Sequence, residues 1–379
     1  MICANTARRQ VNDEMAAQIA TGFSYGTHPI NAHAINAVET AMQKAGLEQA
    51  ESVLLFMTHD YIDDPDSAVR LAARTAGCVQ VAGAIGYGIL TEEDWLLDSP
   101  GVAAMVFGPG CGIGPRNAVS HESVLAISTP SGFNPGWLHD PVPHIGAIAS
   151  DPIGQGAYQV WSNARIQESG RIELGISHAR AAFAVGQSFK TLTQPHRINI
   201  SDGLDVINID DHPALDLLLE SLPDEIRQQP TIPLHLLLSG VVFGNPVNAI
   251  REGRFHLDHI ISANPESHSI TITSELQPNE HVFLAIRDSY AAELDMQETV
   301  AIAHKKLGAQ PDFGLMFPCF GRGPSFYGGK DRDIEILADA FPGMPFIGFY
   351  GNGEIGPLME GNHTYQYSTA LGLFSAESH

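Results

Sequence analysis

A cationic and an anionic side chain in the C-terminal part of the chain have the types and placement to bind a small molecule. Arg322 follows the apolar run Phe313–Phe317, and Glu354 follows a second apolar run, Phe346–Tyr350. Loops that leave strand ends commonly hold ligands in α/β sheets. A guanidinium forks onto a carboxylate, and a carboxylate accepts an ammonium group. The pair predicts a site for a small zwitterion, and the alternative is a salt bridge that braces two loops.

The residues around this pair complete the predicted ligand site. Glycines expose backbone N–H groups and allow close approach, and aromatic rings can wall a pocket. We expect the side chains of Arg322 and Glu354 to converge on one concave surface. The predicted ligand-binding residues are Cys319, Gly321, Arg322, Gly323, Tyr350, Gly351, Asn352, Gly353 and Glu354.

Cys319 offers a different chemistry, covalent catalysis. Glycines and the cation Arg322 beside a thiol can lower its pKa, and a thiolate nucleophile needs a base. His59, at the analogous position in the other half of the chain, is the candidate base. The alternative function is therefore a small-molecule hydrolase or transferase that uses Cys319. A buried or pocket-lining thiol is commoner, so a protein without catalysis of its own is favoured.

The 17 histidines raise the question of a metal site. The densest clusters, His139–His144 and Asp210–His212, lack the spacing of a zinc site or of His-Glu-x-x-His. His256 and His259, which flank Asp258 in a predicted strand, are interpreted as surface residues. The glycine order Gly-x-x-Gly-x-Gly differs from the dinucleotide fingerprint, and a P-loop pattern is absent. The sequence thus predicts neither a metal nor a cofactor.

The elements that must position these residues occur twice. Asp66–Leu90 aligns without a gap on Asp331–Ile355, and this register pairs Gly83, Gly86 and Gly88 with Gly348, Gly351 and Gly353. The repeat distance of roughly 260 residues is too long for a solenoid. Each copy has a helix, a buried strand, a second helix and a second strand. We predict an α/β protein (α+β mixed) of two related halves, with mixed β-sheets flanked by helices.

Apolar spacing and capping residues define the individual elements. A helix face at i, i+3, i+4 and i+7 is expected over 36–45, and Gly46 ends it. Asp64-Pro65 supplies an N-cap and a proline at the first position of the next helix. In the second copy, a helix is expected over 299–307. Between the copies we expect mostly β structure and a boundary near 195–225.

Composition limits the classes of function. The formal net charge of −23 disfavours nucleic acid and anionic membranes as partners. No apolar run reaches the roughly 18 residues of a transmembrane helix, and the first residues lack the apolar core of a signal peptide. The four cysteines form no Cys-x-x-Cys pair. We expect a cytoplasmic protein that contacts neither nucleic acid nor membrane.

The C-terminal motifs resemble the FIST C domain. FIST proteins carry Cys-x-Gly-Arg-Gly and then Gly-Phe followed by Gly-Glu-Ile-Gly-Pro, which correspond here to Cys319–Gly323 and Gly348–Pro357. Arg287-Asp288 matches the Arg-Asp that precedes the family's long helix. The N-terminal half resembles the FIST N domain through Leu54–Phe56 and Gly83–Gly88.

The resemblance implies a FIST N-like domain over 20–200 and a FIST C-like domain over 205–375. Residues 120–170, with His121, form an insert-like stretch outside the family pattern. The resemblance further implies a sensory protein of signal transduction whose small ligand is an amino acid or related metabolite. No output segment is recognised, so an unknown signalling partner is expected to supply the output. A third interpretation is a scaffold whose acidic surface binds a signalling protein.

Overall fold

A computed structural model describes residues 18–116, 123–151, 156, 158–358 and 361–377. His121 of the insert-like stretch lies outside these residues. The described helices are α1 (Ala32–Ala45), α2 (Pro65–Ala76), α3 (Ala214–Ser221), α4 (Asp224–Arg227), α5 (Ser289–Leu307) and α6 (Arg332–Ala340). None of the helices in these ranges is both long enough and apolar enough to cross a membrane.

Strands make up most of the remaining regular structure. Those before residue 200 or crossing it are β1 (Ile19–Tyr25), β2 (Ser52–Thr58), β3 (Val81–Gly86), β4 (Gly88–Thr91), β5 (Trp95–Leu96), β6 (Gly101–Phe107), β7 (Gly112–Pro115), β8 (Val124–Ser128), β9 (His144–Ile148), β10 (Val160–Ser162), β11 (Arg165–Ile166), β12 (Arg171–Ser177), β13 (Ala179–Gln187), β14 (Phe189–Thr191) and β15 (His196–Asp202). The later strands are β16 (Asp205–Ile209), β17 (His212–Pro213), β18 (Leu237–Val242), β19 (Phe255–Asn264), β20 (Ser269–Ile272), β21 (His281–Arg287), β22 (Phe313–Pro318), β23 (Phe346–Tyr350), β24 (Glu354–Leu358), β25 (Gly361–Tyr365) and β26 (Ser368–Ala376).

These strands form four sheets. Three have six strands each, in the orders β1-β6-β2-β3-β10-β11, β25-β24-β9-β8-β12-β7 and β13-β26-β22-β23-β4-β5. The fourth, which we call the closed sheet, has the order β14-β21-β15-β16-β20-β19-β18, and β18 also pairs with β21. Parallel and antiparallel pairs occur together in the six-stranded sheets. The predicted mixed α/β class is confirmed.

The same unit is built twice. In each half a helix leads to a buried strand, a short 3-10 helix, a second helix and a second strand: α1-β2-α2-β3 and α5-β22-α6-β23. The two strands of each unit pair in parallel. Phe56 of the first unit packs its ring against Phe317 and Phe349 of the second, with centroids 6.2 and 5.1 Å away. The two halves therefore share a core.

The first glycine of each repeated turn has a packing reason. A Cβ at Gly83 would lie 1.8 Å from the carbonyl oxygen of Leu55, and one at Gly348 would lie 1.6 Å from that of Met316. In both halves the neighbouring parallel strand fills the space that a side chain needs. Beyond the turn, β4 leaves the sheet of β3 and pairs with β23, so the repeated turn moves the chain between sheets.

Several elements differ from the predictions. Helix α5 begins at Ser289, ten residues before the predicted 299, with Asp288 as its N-cap accepting from Ala291 N at 2.7 Å. Exposed apolar side chains such as Tyr290 and Leu294 blur the helical pattern there. The hairpin β24–β25 was not predicted, because its glycines and prolines indicate a loop. The domain division at 20–200 and 205–375 stays a prediction.

Candidate functional site

Arg322 is fully buried and its guanidinium is occupied by protein groups. The 3-10 helix Phe320–Arg322 directs it toward α5 and α6. Its Nε donates to Oδ2 of Asp333 at 2.7 Å, and its Nη2 donates to Oδ1 of Asp333 at 3.1 Å and to the carbonyl of Ala292 at 3.0 Å. Asp295 lies 3.6 Å from Nη1. This forked pair connects the Cys319–Gly323 loop to two helices.

Hydroxyl groups satisfy the carboxylates beside Arg322. Tyr327 and Thr369 donate to Asp333 at 2.6 and 2.7 Å. The hydroxyl of Tyr350 donates to Asp331 at 2.6 Å, and burial, together with the charge of Asp333, raises the pKa of Asp331 to about 7. Nη1 of Arg322 has only the ion-pair contact with Asp295 and no hydrogen bond among the described residues, whereas Nε and Nη2 are hydrogen-bonded. Such a buried charged network rigidifies a fold.

Glu354 lies in a separate buried cluster. Its Oε2 accepts from Oγ of Ser368 at 2.5 Å, and its Oε1 accepts from the backbone N–H of Gly353 at 3.2 Å. Burial raises the pKa of Glu354 to about 8 despite these donors and the neighbouring thiol of Cys319. The side chain is therefore mostly protonated and uncharged at neutral pH.

The two predicted charges have different partners. Arg322 contacts α5 and α6, whereas Glu354 contacts Ser368, Gly353 and Cys319. Neither side chain is exposed to solvent. Their joint binding of a zwitterion stays a prediction, and it would require the ligand to enter the protein interior.

Asn352 and Gly353 open instead onto a cleft of about 330 Å³ between the two halves. The first half contributes Ile148 at the end of β9 and Gln187 at the end of β13. Most of the remaining lining comes from β19 and β25. The lining residues are Ile148, Gln187, His256, Leu257, Asp258, Ser274, Asn352, Gly353, His363, Thr364, Tyr365 and Gln366. This lining contains one carboxylate and neither lysine nor arginine, so the cleft is polar and suited to a cationic or hydrogen-bonding group.

Asp258 carries the negative charge of the cleft and is 6% exposed. Its Oδ1 accepts from Thr273 at 2.9 Å. Its Oδ2 lies 3.3 Å from Nε2 of His256, within ion-pair distance, and has no hydrogen-bond partner among the described residues. Burial acts to raise the pKa of Asp258, but His256 and Ser274 hold it below its ordinary value. The carboxylate of Asp258, buried and ionised, therefore forms part of the cleft wall.

His363 makes the opposite wall largely neutral. Its ring centroid is 6.0 Å from that of His256. Burial, reinforced by His256, lowers the pKa of His363 to about 4. Sequence reasoning missed this residue and treated His256 as a surface residue, although both side chains are half-buried. The alternation His256-Asp258 on one face of β19 was the available signal. Nothing in the sequence showed that His363 of β25 would lie beside these residues.

Comparison with known families identifies both halves. A model of the FIST N domain matches residues 51–212, and a model of the FIST C domain matches residues 214–357. This chain belongs to the FIST family. FIST domains are associated with sensory signal transduction. The cleft of this FIST protein has walls from both matched ranges.

The relatives of this FIST protein differ in how much of their length aligns with it. An uncharacterized protein from Mycobacterium tuberculosis is 25% identical over 94% of this chain and 99% of its own length. An uncharacterized protein from Mycobacterium bovis is 25% identical over 61% of this chain and 60% of its own length. Human F-box only protein 22 is 36% identical over 72 residues, which are 19% of this chain and 17% of that protein.

The FIST C cysteine is poorly placed for nucleophilic catalysis. Cys319 is 2% exposed, and burial, with the nearby Glu354, raises the pKa of its thiol far above the ordinary value. The ring of the candidate base His59 stacks on Tyr87 at 6.3 Å, and Tyr87 in turn contacts Phe320 at 5.6 Å. An aromatic pair thus stands between the base and the thiol loop. The arrangement favours a packed structural thiol.

We expect Cys319 to react with iodoacetamide at pH 7 at least about tenfold more slowly than the partly exposed Cys78, because only the thiolate attacks. Mass spectrometry of digested peptides over time gives both rates in one sample. Cys111, also buried with a raised pKa, is the matched control and should be equally slow. If Cys319 labels faster than Cys78, the nucleophile hypothesis returns.

One further group of acidic and histidine side chains in the FIST N range has the proximity of a metal site. Ligand atoms of Asp140, His144 and Glu173 lie within 4.8 Å of one another. The guanidinium of Arg116 donates to both carboxylates. Nδ1 of His144 lies 2.8 Å from the carbonyl of Val142. An arginine thus already supplies the cation between the two acids.

Proposed function

We propose that this FIST protein is a sensory module that binds a small polar metabolite, an amino acid or a close relative, in the cleft beside Asn352 and Gly353. The observation that carries the proposal is a polar cleft lined from both FIST domains, whose wall contains one buried carboxylate, Asp258, and neither lysine nor arginine. We further propose a cytoplasmic setting, which suits the free thiols Cys78, Cys111 and Cys319. A signalling partner protein would receive the output.

The cleft offers a specific set of contacts. Its volume of about 330 Å³ is at the small end of ligand pockets. Oδ2 of Asp258 is placed to accept an ammonium group. The carboxamide of Gln187 and the hydroxyl of Thr364 also line the cleft and can contact the polar remainder of a ligand. The carboxamides of Asn352 and Gln366 line it too, although Asn352 donates to the carbonyl of Asp151 and Gln366 is bonded to His259. These contacts favour a small amine over a phosphorylated or dicarboxylic molecule.

The cleft wall also offers a route for the signal. Asn352 donates its backbone N–H to the carbonyl of Ile148 at 2.9 Å, and Ile148 donates to the carbonyl of Gly353 at 2.8 Å. Glu354, directly after this loop, is held by Ser368 of β26. A ligand that shifts the Asn352–Gly353 loop would thus act on β9 of the first half and β26 of the second half.

The test is a thermal-shift screen of amino acids and small amines against the full chain. A ligand at 100 times its Kd should add about 2.7 kcal/mol of stability. For a compound that stabilises the wild type, Asp258→Asn should weaken binding at least about tenfold, because it removes the charge without changing the shape. Asp216→Asn, at an exposed carboxylate paired with His268, should bind as the wild type does. Equal binding by Asp258→Asn, or no stabilising compound in the panel, would contradict the proposal.

A further inference from the structure

Arg287, the last residue of β21, is a cation that lacks a counter-ion. Its guanidinium carbon lies 3.8 Å from the ring centroid of Tyr367 and 4.8 Å from that of Phe326. Its Nη2 donates to the carbonyl of Gly321. Its Nε is buried and has no hydrogen-bond partner in the described part of the chain. Among the residues that the structure describes, Arg287 forms no ion pair.

Two other arginines with partly or fully buried side chains have the carboxylate counter-ions that Arg287 lacks among the described residues. Arg322 forks onto Asp333, and Arg116 bridges Asp140 and Glu173. A guanidinium has five N–H donors, and the two aromatic rings that Arg287 contacts attract its charge through their faces without accepting its in-plane hydrogens. Burial lowers the pKa of Arg287, and the nearby cation Arg322 acts in the same direction. The charge of the Arg287 guanidinium is therefore not balanced by an anionic group among the described residues.

The surroundings fix the plane of this guanidinium, and the residue is partly exposed although its Nε is buried. Arg287, Gly321, Phe326 and Tyr367 are all partly exposed. A Cβ at position 321 would lie 2.6 Å from the ring of Tyr367, so the glycine allows that ring to pack over the loop and against the arginine. A guanidinium that contacts two aromatic rings is preorganised for planar, two-point recognition.

We propose that Arg287 anchors a site for a small oxyanion, a carboxylate or a phosphate, whose oxygens accept from the free N–H groups of the guanidinium. The aromatic rings of Phe326 and Tyr367 flank the bound group. This site is distinct from the cleft lining, and it goes beyond the proposed function because it does not depend on an amine ligand. It moves anion recognition from Arg322, whose guanidinium is forked onto Asp333, to Arg287, beside the same Cys319–Gly323 loop.

Nuclear magnetic resonance of the arginine Nε–H groups tests the site in the full chain. Sodium acetate and sodium phosphate are titrated separately against sodium chloride at constant ionic strength, and Arg287→Lys assigns the Arg287 signal. We expect a saturable shift of the Arg287 signal with at least one oxyanion. The anion that binds more tightly shows whether the site prefers a carboxylate or a phosphate. The Arg322 signal should not move, because its Nε is bonded to Asp333. An Arg287 signal that moves no more than in chloride overturns the proposal.

A binding measurement adds a second, independent readout. Arg287→Lys keeps the charge and loses the planar fork, so it should bind the preferred anion at least tenfold more weakly by equilibrium dialysis. Arg332→Lys, at an arginine already paired with Glu293 and Glu335, should bind as the wild type does. Unchanged binding by folded Arg287→Lys overturns the proposal. Asp258→Asn should leave the acetate and phosphate shifts intact, so failure of the amine screen would not affect this site.

Discussion

Replacing Arg322 with methionine should lower the free energy of unfolding by about 3–5 kcal/mol. The substitution fills a similar volume but leaves the buried carboxylate of Asp333 without its forked partner, and both side chains are 0% exposed. Urea unfolding of the full chain, followed by circular dichroism, measures the loss. The same variant is unsuitable as a test of ligand binding, because its instability would mask any change in affinity.

The matched control is Arg332→Met, which removes a partly exposed arginine from ion pairs with Glu293 and Glu335. Such surface pairs contribute about 0–1 kcal/mol, so this variant should remain close to the wild type. The double variant Arg322→Met/Asp333→Leu removes both charges and should recover part of the loss. A loss below about 1 kcal/mol for Arg322→Met would show that Arg322 is not the buried structural cation that we describe.

Glu354→Gln should remove a large pH dependence of stability. The pKa of Glu354 is raised from 4.5 to about 8 in the folded protein. Between these values the unfolded chain has lost the proton and the folded chain has kept it, so stability falls as pH rises. Because one pKa unit corresponds to about 1.4 kcal/mol, the wild type should lose about 3–4 kcal/mol more than the variant between pH 5 and 8.

Urea unfolding at several pH values between 5 and 8 measures this difference. Asp331, whose folded pKa is also raised, to about 7, contributes in the same direction in both proteins and cancels in the comparison. Glu293→Gln is the control, because that exposed carboxylate has a pKa lowered by Arg332 and should show no excess loss over this range. If the free energy of unfolding depends on pH in the same way in the wild type and in Glu354→Gln, Glu354 is ionised in the folded state.

The sequence by itself determined the duplicated unit, the mixed α/β class and the FIST family. Apolar periodicity and caps are local properties, so β23 coincides with the apolar run Phe346–Tyr350 and Asp64 and Pro65 begin α2 as expected. The two copies that align without a gap each form one parallel strand pair, β2 with β3 and β22 with β23. These features follow from side-chain burial and from backbone geometry within short segments.

Only the tertiary structure decided which charged groups meet. Arg322 pairs with Asp333 at the start of α6, not with Glu354, and Asp258 is brought to His363 from more than a hundred residues away in the chain. Such pairings depend on how sheets stack and where strands cross between them, which a pattern of apolar residues does not encode. The desolvation that makes Glu354 neutral is likewise a property of the assembled interior, because burial depends on residues remote in sequence. So is the position of Arg287, which has no counter-ion among the described residues.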